Sequence, residues 1–105
     1  GNASLMGFTR ALGAFSLDDN IRVVGVNPGP VDTDRIYNML KKRALKDLGD
    51  ESHAGDLQKG YPLGRPANKG EVSDIIVFLA SHRAGYITGT IITVDGGIAS
   101  RRSII

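Results

Sequence analysis

The side chains that most often carry chemistry are few in this chain, and they are not grouped at catalytic or metal-binding spacing. Each of the two histidines follows a serine, in Ser52-His53 and Ser81-His82, but adjacency along the chain does not by itself build a nucleophile and a base. The chain has no cysteine, and neither histidine has a companion at ligand spacing. We therefore predict no metal site and no hydrolytic centre of these types.

The segment best suited to hold polar groups in place is Pro28-Gly29-Pro30-Val31-Asp32-Thr33. Its prolines fix their own φ and stiffen the chain, and its glycine allows another backbone or a ligand to come close. Thr33 adds a hydroxyl group at the end of the segment. We expect a structured loop here rather than a flexible connection.

Hydrophobic patterning predicts the strands around this loop. Residues 21–27 are apolar or β-branched at nearly every position, which is typical of a strand covered on both faces, and Pro28 should end it. Residues 90–94 predict a second strand, ended by a turn at residues 95–97. That turn explains the Asp-Gly-Gly sequence more simply than a metal or phosphate loop does. No element is predicted for the tail at Arg101-Arg102.

Apolar residues at steps of three and four predict three helices. The second covers residues 34–48, and the third covers residues 68–81, where Asn68 and Glu71 have the spacing of a capping box. Residues 49–60 are polar and aperiodic, so a loop is predicted for them. The apolar stripe of the first helix consists of Leu5, Phe8, Leu12 and Phe15.

A basic cluster lies in the second predicted helix, formed by Lys41, Lys42, Arg43 and Lys46. These side chains could touch a phosphate, but charge runs usually form a solvated helix face. We assign the cluster no site on sequence grounds.

Two short strands separated by two helices cannot form a hairpin, so a parallel pair with a right-handed crossover is expected. The fold class is α/β, as part of a doubly wound, Rossmann-like sheet. Two strands alone do not make a stable parallel sheet. We therefore expect the remaining strands to come from elsewhere, and apolar residues of the first strand and helix to be exposed or covered by another chain.

Composition limits the function classes. With 105 residues, 41% hydrophobic and 23% charged, the chain suits one α/β or α+β domain, and a net charge of +2 gives no reason to expect a nucleic-acid partner. No apolar run is long enough to span a bilayer, no signal peptide is evident, and the absence of cysteine fits the cytoplasm. The chain opens with Gly1 inside a helical pattern, which suggests that something upstream was removed or left out.

Five blocks in order along the chain resemble the short-chain dehydrogenase/reductase family. They are residues 3–10, 21–23, 27–33, 62–65 and 86–97, read as Ala-Ser-Leu-Met-Gly-Phe-Thr-Arg, Ile-Arg-Val, Asn-Pro-Gly-Pro-Val-Asp-Thr, Pro-Leu-Gly-Arg, and Tyr-Ile-Thr-Gly running to Val-Asp-Gly-Gly. The resemblance covers nearly the whole chain as the C-terminal portion, residues 1–105, of one such domain. It implies hydride transfer between NAD or NADP and a small carbonyl or alcohol substrate, in a protein that is commonly a homo-oligomer.

In that family the loop after the strand contacts the nicotinamide side of the cofactor. The resemblance therefore assigns cofactor binding to Pro28, Gly29, Val31 and Thr33, with the Val31 N–H and C=O paired to the carboxamide. The Thr33 or Asp32 side chain could equally cap the next helix, and both roles can coexist. Residues 34–67 resemble the substrate-side flap, where Tyr37 and Met39 either line the pocket or pack the flap against the body.

The resemblance also shows what this chain lacks. No G-x-G-x-x-G turn occurs, and the family's catalytic serine and tyrosine would lie upstream of residue 1. Asn2 occupies the position of the active-site lysine, and an amide brings no positive charge there. We expect the isolated chain to be inactive. The alternative to an enzymatic parent is a non-catalytic binding or assembly subunit with a degenerate site.

Overall fold

A computed structural model describes the backbone of residues 2–104 and the side chains of residues 2–101. The chain divides into two compact units. The first contains the residues up to Asn27 together with Ser73–Val94, and the second contains Pro28–Val72 and the residues from Asp95 on. Within the described part of the chain, no helix has the length and apolar character needed to cross a membrane.

The first unit contains helix α1 (Asn2–Gly13), a 3-10 turn (Ser16–Asp19), most of strand β1 (Val24–Pro28) and strand β2 (Thr90–Val94). The two strands are parallel neighbours in one sheet, as predicted. Most of helix α4 (Lys69–Ala80) also belongs to this unit, and a short 3-10 turn (His82–Ala84) follows it. The α/β fold class predicted from the sequence is confirmed.

Strand β1 begins three residues later than predicted because the preceding residues use other partners. Val23 gives its N–H to the Thr88 hydroxyl at 3.1 Å, and its C=O accepts from the Gly89 N–H at 2.8 Å. The Arg22 guanidinium donates to the C=O of Leu79 and of Ser81, at the end of α4. A cation there neutralises the negative end of the helix dipole. Residues 21–23 are therefore extended connections rather than members of the sheet ladder.

Helix α1 approaches the sheet through small residues. A Cβ on Gly25 of β1 would lie 3.7 Å from the Thr9 Cγ2 atom of α1, and a Cβ on Gly13 would overlap the backbone of Gly89. Thr9 is buried at this contact, and its hydroxyl donates to the Leu5 C=O at 2.9 Å. Close backbone approach, rather than interdigitated large side chains, therefore fixes α1 in this unit.

The predicted apolar stripe of α1 points away from this contact. Leu5, Phe8 and Leu12 are 64%, 61% and 50% exposed. Phe15, which lies beyond the end of α1, and Ile21 before the first strand are also exposed. The expectation that apolar residues lie exposed is confirmed for the first helix and for Ile21, whereas Val23, Val24 and Val26 are half-buried. The residues that α1 buries are instead Thr9 and Gly13.

The second unit contains helix α2 (Asp34–Leu48), helix α3 (Ala54–Gln58) and the start of α4. Helix α5 (Ile98–Ile104) occupies the tail for which no element was predicted. Leu40 and Ala44 of α2 are fully buried, at 2% and 0% exposure. The prediction of helix 34–48 is confirmed at both ends, because Thr33 caps its start and Gly49 ends it with a positive φ of 75°.

The prediction of a loop over residues 49–60 is wrong. Asp50 accepts a hydrogen bond from the Ser52 N–H at 3.0 Å and starts a 3-10 turn (Glu51–His53), which leads directly into α3. Both segments are too short to show a hydrophobic period. The capping aspartate was the one local signal that could have revealed them.

Asp95 organises the turn predicted at residues 95–97. Its carboxylate accepts from the Gly97 N–H at 2.8 Å and from the Ala99 N–H at 2.9 Å, so it caps α5. These backbone donors, Ala99 first, hold the pKa of Asp95 below its ordinary value. Gly96 has a φ of 64°, and a Cβ there would lie 2.6 Å from Pro62. The Asp-Gly-Gly sequence is thus a helix-capping turn.

Candidate functional site

The loop formed by residues 28–33 is anchored along one edge to the segment that precedes α4. The Ala67 N–H donates to the Pro30 C=O at 2.8 Å, and the Asp32 N–H donates to the Ala67 C=O, also at 2.8 Å. Together these bonds form an isolated parallel bridge between Val31 and Ala67. Two short bonds therefore hold a loop whose prolines already restrict it.

The bridge leaves one residue of the loop with free backbone groups. In an extended chain successive peptide groups point to opposite sides, so Val31 directs its N–H and C=O away from Ala67. Neither group has a hydrogen-bond partner within the described part of the chain. A donor and an acceptor on the same residue, held on a rigid edge, match the paired acceptor and donor of a primary carboxamide.

Thr33 closes the loop as the N-cap of α2. Its Oγ1 accepts from the Ile36 N–H at 3.4 Å, with extended backbone angles. The capping interpretation from the sequence is therefore confirmed for Thr33. Capping uses the hydroxyl as an acceptor, so its hydrogen remains available to a ligand oxygen. The two roles are chemically compatible.

Tyr37 lies one turn into α2 and bonds back to the loop. Its hydroxyl hydrogen-bonds the Asp32 carboxylate, and this bond, reinforced by the negative charge, raises the pKa of Tyr37 above its ordinary value. This interaction ties the first turn of α2 to the loop. Met39 is 47% exposed and is not part of the core that Leu40 and Ala44 form.

An ion pair that the sequence analysis did not identify lies beside Ala67. Arg65 binds both carboxylate oxygens of Glu71, at 2.7 and 3.3 Å, and also donates to the Pro66 C=O. Glu71 accepts from the Asn68 N–H at 2.8 Å as well, so the predicted capping-box pair is in contact. The bidentate arginine and this backbone donor lower the pKa of Glu71 to about 2. Ala67 is thereby presented to the loop between two fixed neighbours.

The residues proposed from the sequence do not all lie in this loop. Pro28, Gly29, Val31 and Thr33 all belong to it, in the second unit. Asn2 is the first residue of α1, in the first unit, and its side chain is exposed. Its assignment to the lysine position therefore remains a prediction from the resemblance.

No metal centre is formed by the residues that the structure describes, since no three histidine, cysteine, aspartate or glutamate side chains converge. His53 is engaged with Asp56, at 3.1 Å from Nδ1 to Oδ2. Lys59 also contacts Asp56, and these two neighbours lower the pKa of the aspartate, with the His53 hydrogen bond the larger cause. The arrangement is a local ion-pair cluster around α3.

Comparison with known proteins agrees with the sequence resemblance. The sequence profile described as enoyl-(acyl carrier protein) reductase matches residues 2–99, nearly the whole chain. The chain belongs to the short-chain dehydrogenase/reductase family. The resemblance drawn from the five sequence blocks is confirmed.

Among curated family members, the chain is 38% identical over 97 residues to the 3-oxoacyl-[acyl-carrier-protein] reductase FabG of Chlamydia muridarum. That match covers 92% of this chain and 35% of the relative. The chain therefore spans about a third of the length of the curated relatives it matches.

Solved structures of the family give the same picture. A short-chain dehydrogenase family protein from Francisella tularensis superposes with a TM-score of 0.79 at 32% identity, covering 93% of this chain and 41% of that one. L-sorbose reductase from Gluconobacter frateurii, solved with NADPH and L-sorbose, has a TM-score of 0.76 at 34% identity, covering 91% of this chain and 37% of that one. FabG and L-sorbose reductase are named for different substrates, so family membership does not define a substrate.

Proposed function

We propose that this chain is part of a nicotinamide-dependent oxidoreductase that transfers hydride between NAD(P)(H) and a carbonyl or alcohol carbon of a small molecule. The observation that carries the proposal is the free N–H and C=O of Val31 on an anchored loop. Family membership and the NADPH complex of a relative that is 34% identical support it.

The residues of the loop fit a nicotinamide group. Val31 would donate its N–H to the carboxamide oxygen and accept from the carboxamide NH2, which orients the ring without any side-chain charge. Pro28 and Gly29 would shape the approach to that edge, and the Thr33 hydroxyl would donate to a carboxamide or phosphate oxygen. The cofactor, when bound, supplies or accepts the hydride.

We propose that residues 34–67 form the substrate-side flap above this edge. Tyr37 would support that role, because its bond to Asp32 joins the first turn of α2 to the cofactor loop. The flap itself identifies no substrate, since pocket chemistry rather than fold sets specificity.

The cofactor proposal is tested by removing the Val31 N–H. In the protein that carries this chain, Val31→Pro should weaken NADH or NADPH binding roughly three- to tenfold, the usual value of one hydrogen bond. Val31→Ala keeps both backbone groups and should bind normally. Calorimetry with both cofactors measures the effect. Equal affinity of the proline and alanine variants would show that this edge does not hold the carboxamide.

The residues 1–105 alone should bind a nicotinamide dinucleotide too weakly for use and show no turnover. They contain the carboxamide edge but no glycine-rich turn for the pyrophosphate. A micromolar dissociation constant for NADH or NADPH with this chain alone would place the cofactor site elsewhere.

A non-catalytic binding or assembly subunit is the second candidate, and Asn2 favours it. At the family's lysine position a positive charge lowers the pKa of the catalytic tyrosine, which a neutral amide cannot do. If the parent is an enzyme, Asn2→Lys should raise kcat near neutral pH, by about tenfold for each unit by which the tyrosine pKa falls, and should shift the optimum to lower pH. Asn2→Gln is the matched control. An active parent whose pH profile is unchanged by lysine would refute this role for position 2.

We also propose a cytoplasmic homo-oligomer. The cysteine-free composition fits a reducing compartment. The exposed apolar stripe of α1 supports association, because such patches on folded proteins usually mark contact surfaces.

A further inference from the structure

The outward side of α2 carries a row of cations with no acidic partner. At 100° per residue, Arg35, Met39, Lys42 and Lys46 fall on one stripe, at spacing i, i+4, i+7 and i+11. All four are exposed, while Leu40 and Ala44 on another side are buried. The row is about 16 Å long, from the rise of a helix.

The carboxylates of α2 do not neutralise this row. Asp47 is engaged with Arg43, at 3.6 Å, and both lie to one side of it. Asp34 lies on the other side, at the N-terminus. Within residues 2–101, the salt bridges of the structure involve none of the three cations of the row.

This arrangement is not the one that folding alone favours. Like charges at i and i+4, as in Lys42 and Lys46, destabilise a helix by a few tenths of a kcal/mol, whereas alternating signs stabilise it. A flexible, exposed methionine within the row adds an adaptable apolar contact of the kind enriched at protein interfaces. The row thus combines charge and apolar surface on one rigid helix.

Three kinds of anionic partner could meet this row: a membrane surface, a nucleic acid or an acidic protein segment. A membrane surface is disfavoured because an interfacial helix needs its apolar side free, and α2 buries Leu40 and Ala44. A nucleic acid is disfavoured because the net charge is only +2 and three cations would neutralise few phosphates. A discrete row of carboxylates meets neither objection.

We propose that the row formed by Arg35, Met39, Lys42 and Lys46 is a docking surface for an acidic protein helix. The partner helix would carry carboxylates at the same spacing, with an apolar side chain among them to meet Met39. All four residues lie within residues 34–67, the proposed substrate-side flap, but none of them is assigned to the cofactor edge.

The test uses a labelled helical peptide of about 18 residues, with glutamates at i, i+4, i+7 and i+11 and one leucine beside them. Fluorescence anisotropy measures its affinity for the whole chain. The double variant Lys42→Glu/Lys46→Glu should weaken binding roughly tenfold or more, because two attractions become repulsions. Lys42→Arg/Lys46→Arg should bind normally.

The matched control is Lys41→Glu/Lys69→Glu, which makes the same change in net charge at exposed positions outside the row. It should change the affinity by less than about threefold, with screened long-range attraction the only loss. Circular dichroism confirms equal helix content, and Lys42→Ala/Lys46→Ala gives a second, milder comparison. Equal weakening by both glutamate pairs, no peptide binding, or tighter binding of duplex DNA or of anionic phosphatidylserine vesicles would overturn the proposal.

Discussion

Helices α1 and α2 both have apolar residues at helical spacing, but they differ in which residues they bury and which they expose. On α1 the large apolar residues Leu5, Phe8 and Leu12 are exposed, and Thr9 and Gly13 are buried. On α2 the buried residues are Leu40 and Ala44, and the exposed row is cationic. Helix α2 thus buries two of its apolar residues and exposes Leu45 and Leu48, whereas α1 buries none of its large apolar residues. An apolar stripe therefore marks a contact face without saying which partner covers it.

The largest effect is expected from a substitution that disrupts the close approach of α1 to the backbone at Gly89. Gly13→Ala should destabilise the fold by about 3 kcal/mol, because the new Cβ overlaps backbone that cannot move like a side chain. Gly7→Ala is the matched control on the same helix, since nothing lies within 4 Å of its Cβ position. It should instead stabilise by about 0.5–1 kcal/mol through helix propensity. Urea unfolding followed by circular dichroism measures both. Similar behaviour of the two variants would show that small residues do not anchor α1.

A second experiment tests the exposed sides directly. The double variant Leu5→Ser/Phe8→Ser on α1 should weaken self-association at least about tenfold, because burial of one such side chain contributes about 1.5–3 kcal/mol. Met39→Ser on α2 removes an exposed apolar side chain that lies within the cationic row, and it should leave self-association unchanged. Sedimentation velocity over a concentration series distinguishes them. If the α1 variant associates like the wild type, this stripe is not the surface between copies.

The smallest effect is expected from loss of the ion pair between Arg65 and Glu71 in the second unit. The pKa of Glu71 is lowered from 4.5 to about 2, so its bridge to Arg65 stabilises the fold above pH 4.5 and is lost as the pH falls toward 2. Both side chains are partly exposed, so salt should reduce the effect. Glu71→Gln should flatten the acid limb of a thermal-stability profile, whereas Glu51→Gln, an exposed glutamate outside the bridge, should not. An acid limb that is identical in all three proteins would mean that the bridge contributes no pH-dependent stability.

The sequence by itself determined those features whose signals are local. Helix α2 has a capping threonine, a period and a terminal glycine within one segment, and strand β2 is a short β-branched run before a turn. The stiff loop at residues 28–33 follows in the same way from its prolines. The absence of a hydrophobic period hid α3, because a single helical turn has no room to show one.

Tertiary structure decided what each element faces. The small side chain of Thr9 and the missing side chain of Gly13 are the inner face of α1, because the backbone at Gly89 leaves space for nothing larger. The bridge of Val31 to Ala67 and the pairing of Arg65 with Glu71 likewise join segments that periodicity cannot relate. Which backbone groups of the loop remain free for a ligand depends on that bridge. Local patterns specify the conformation of a segment, but only the approach of distant segments fixes which of its groups are used and which are left open.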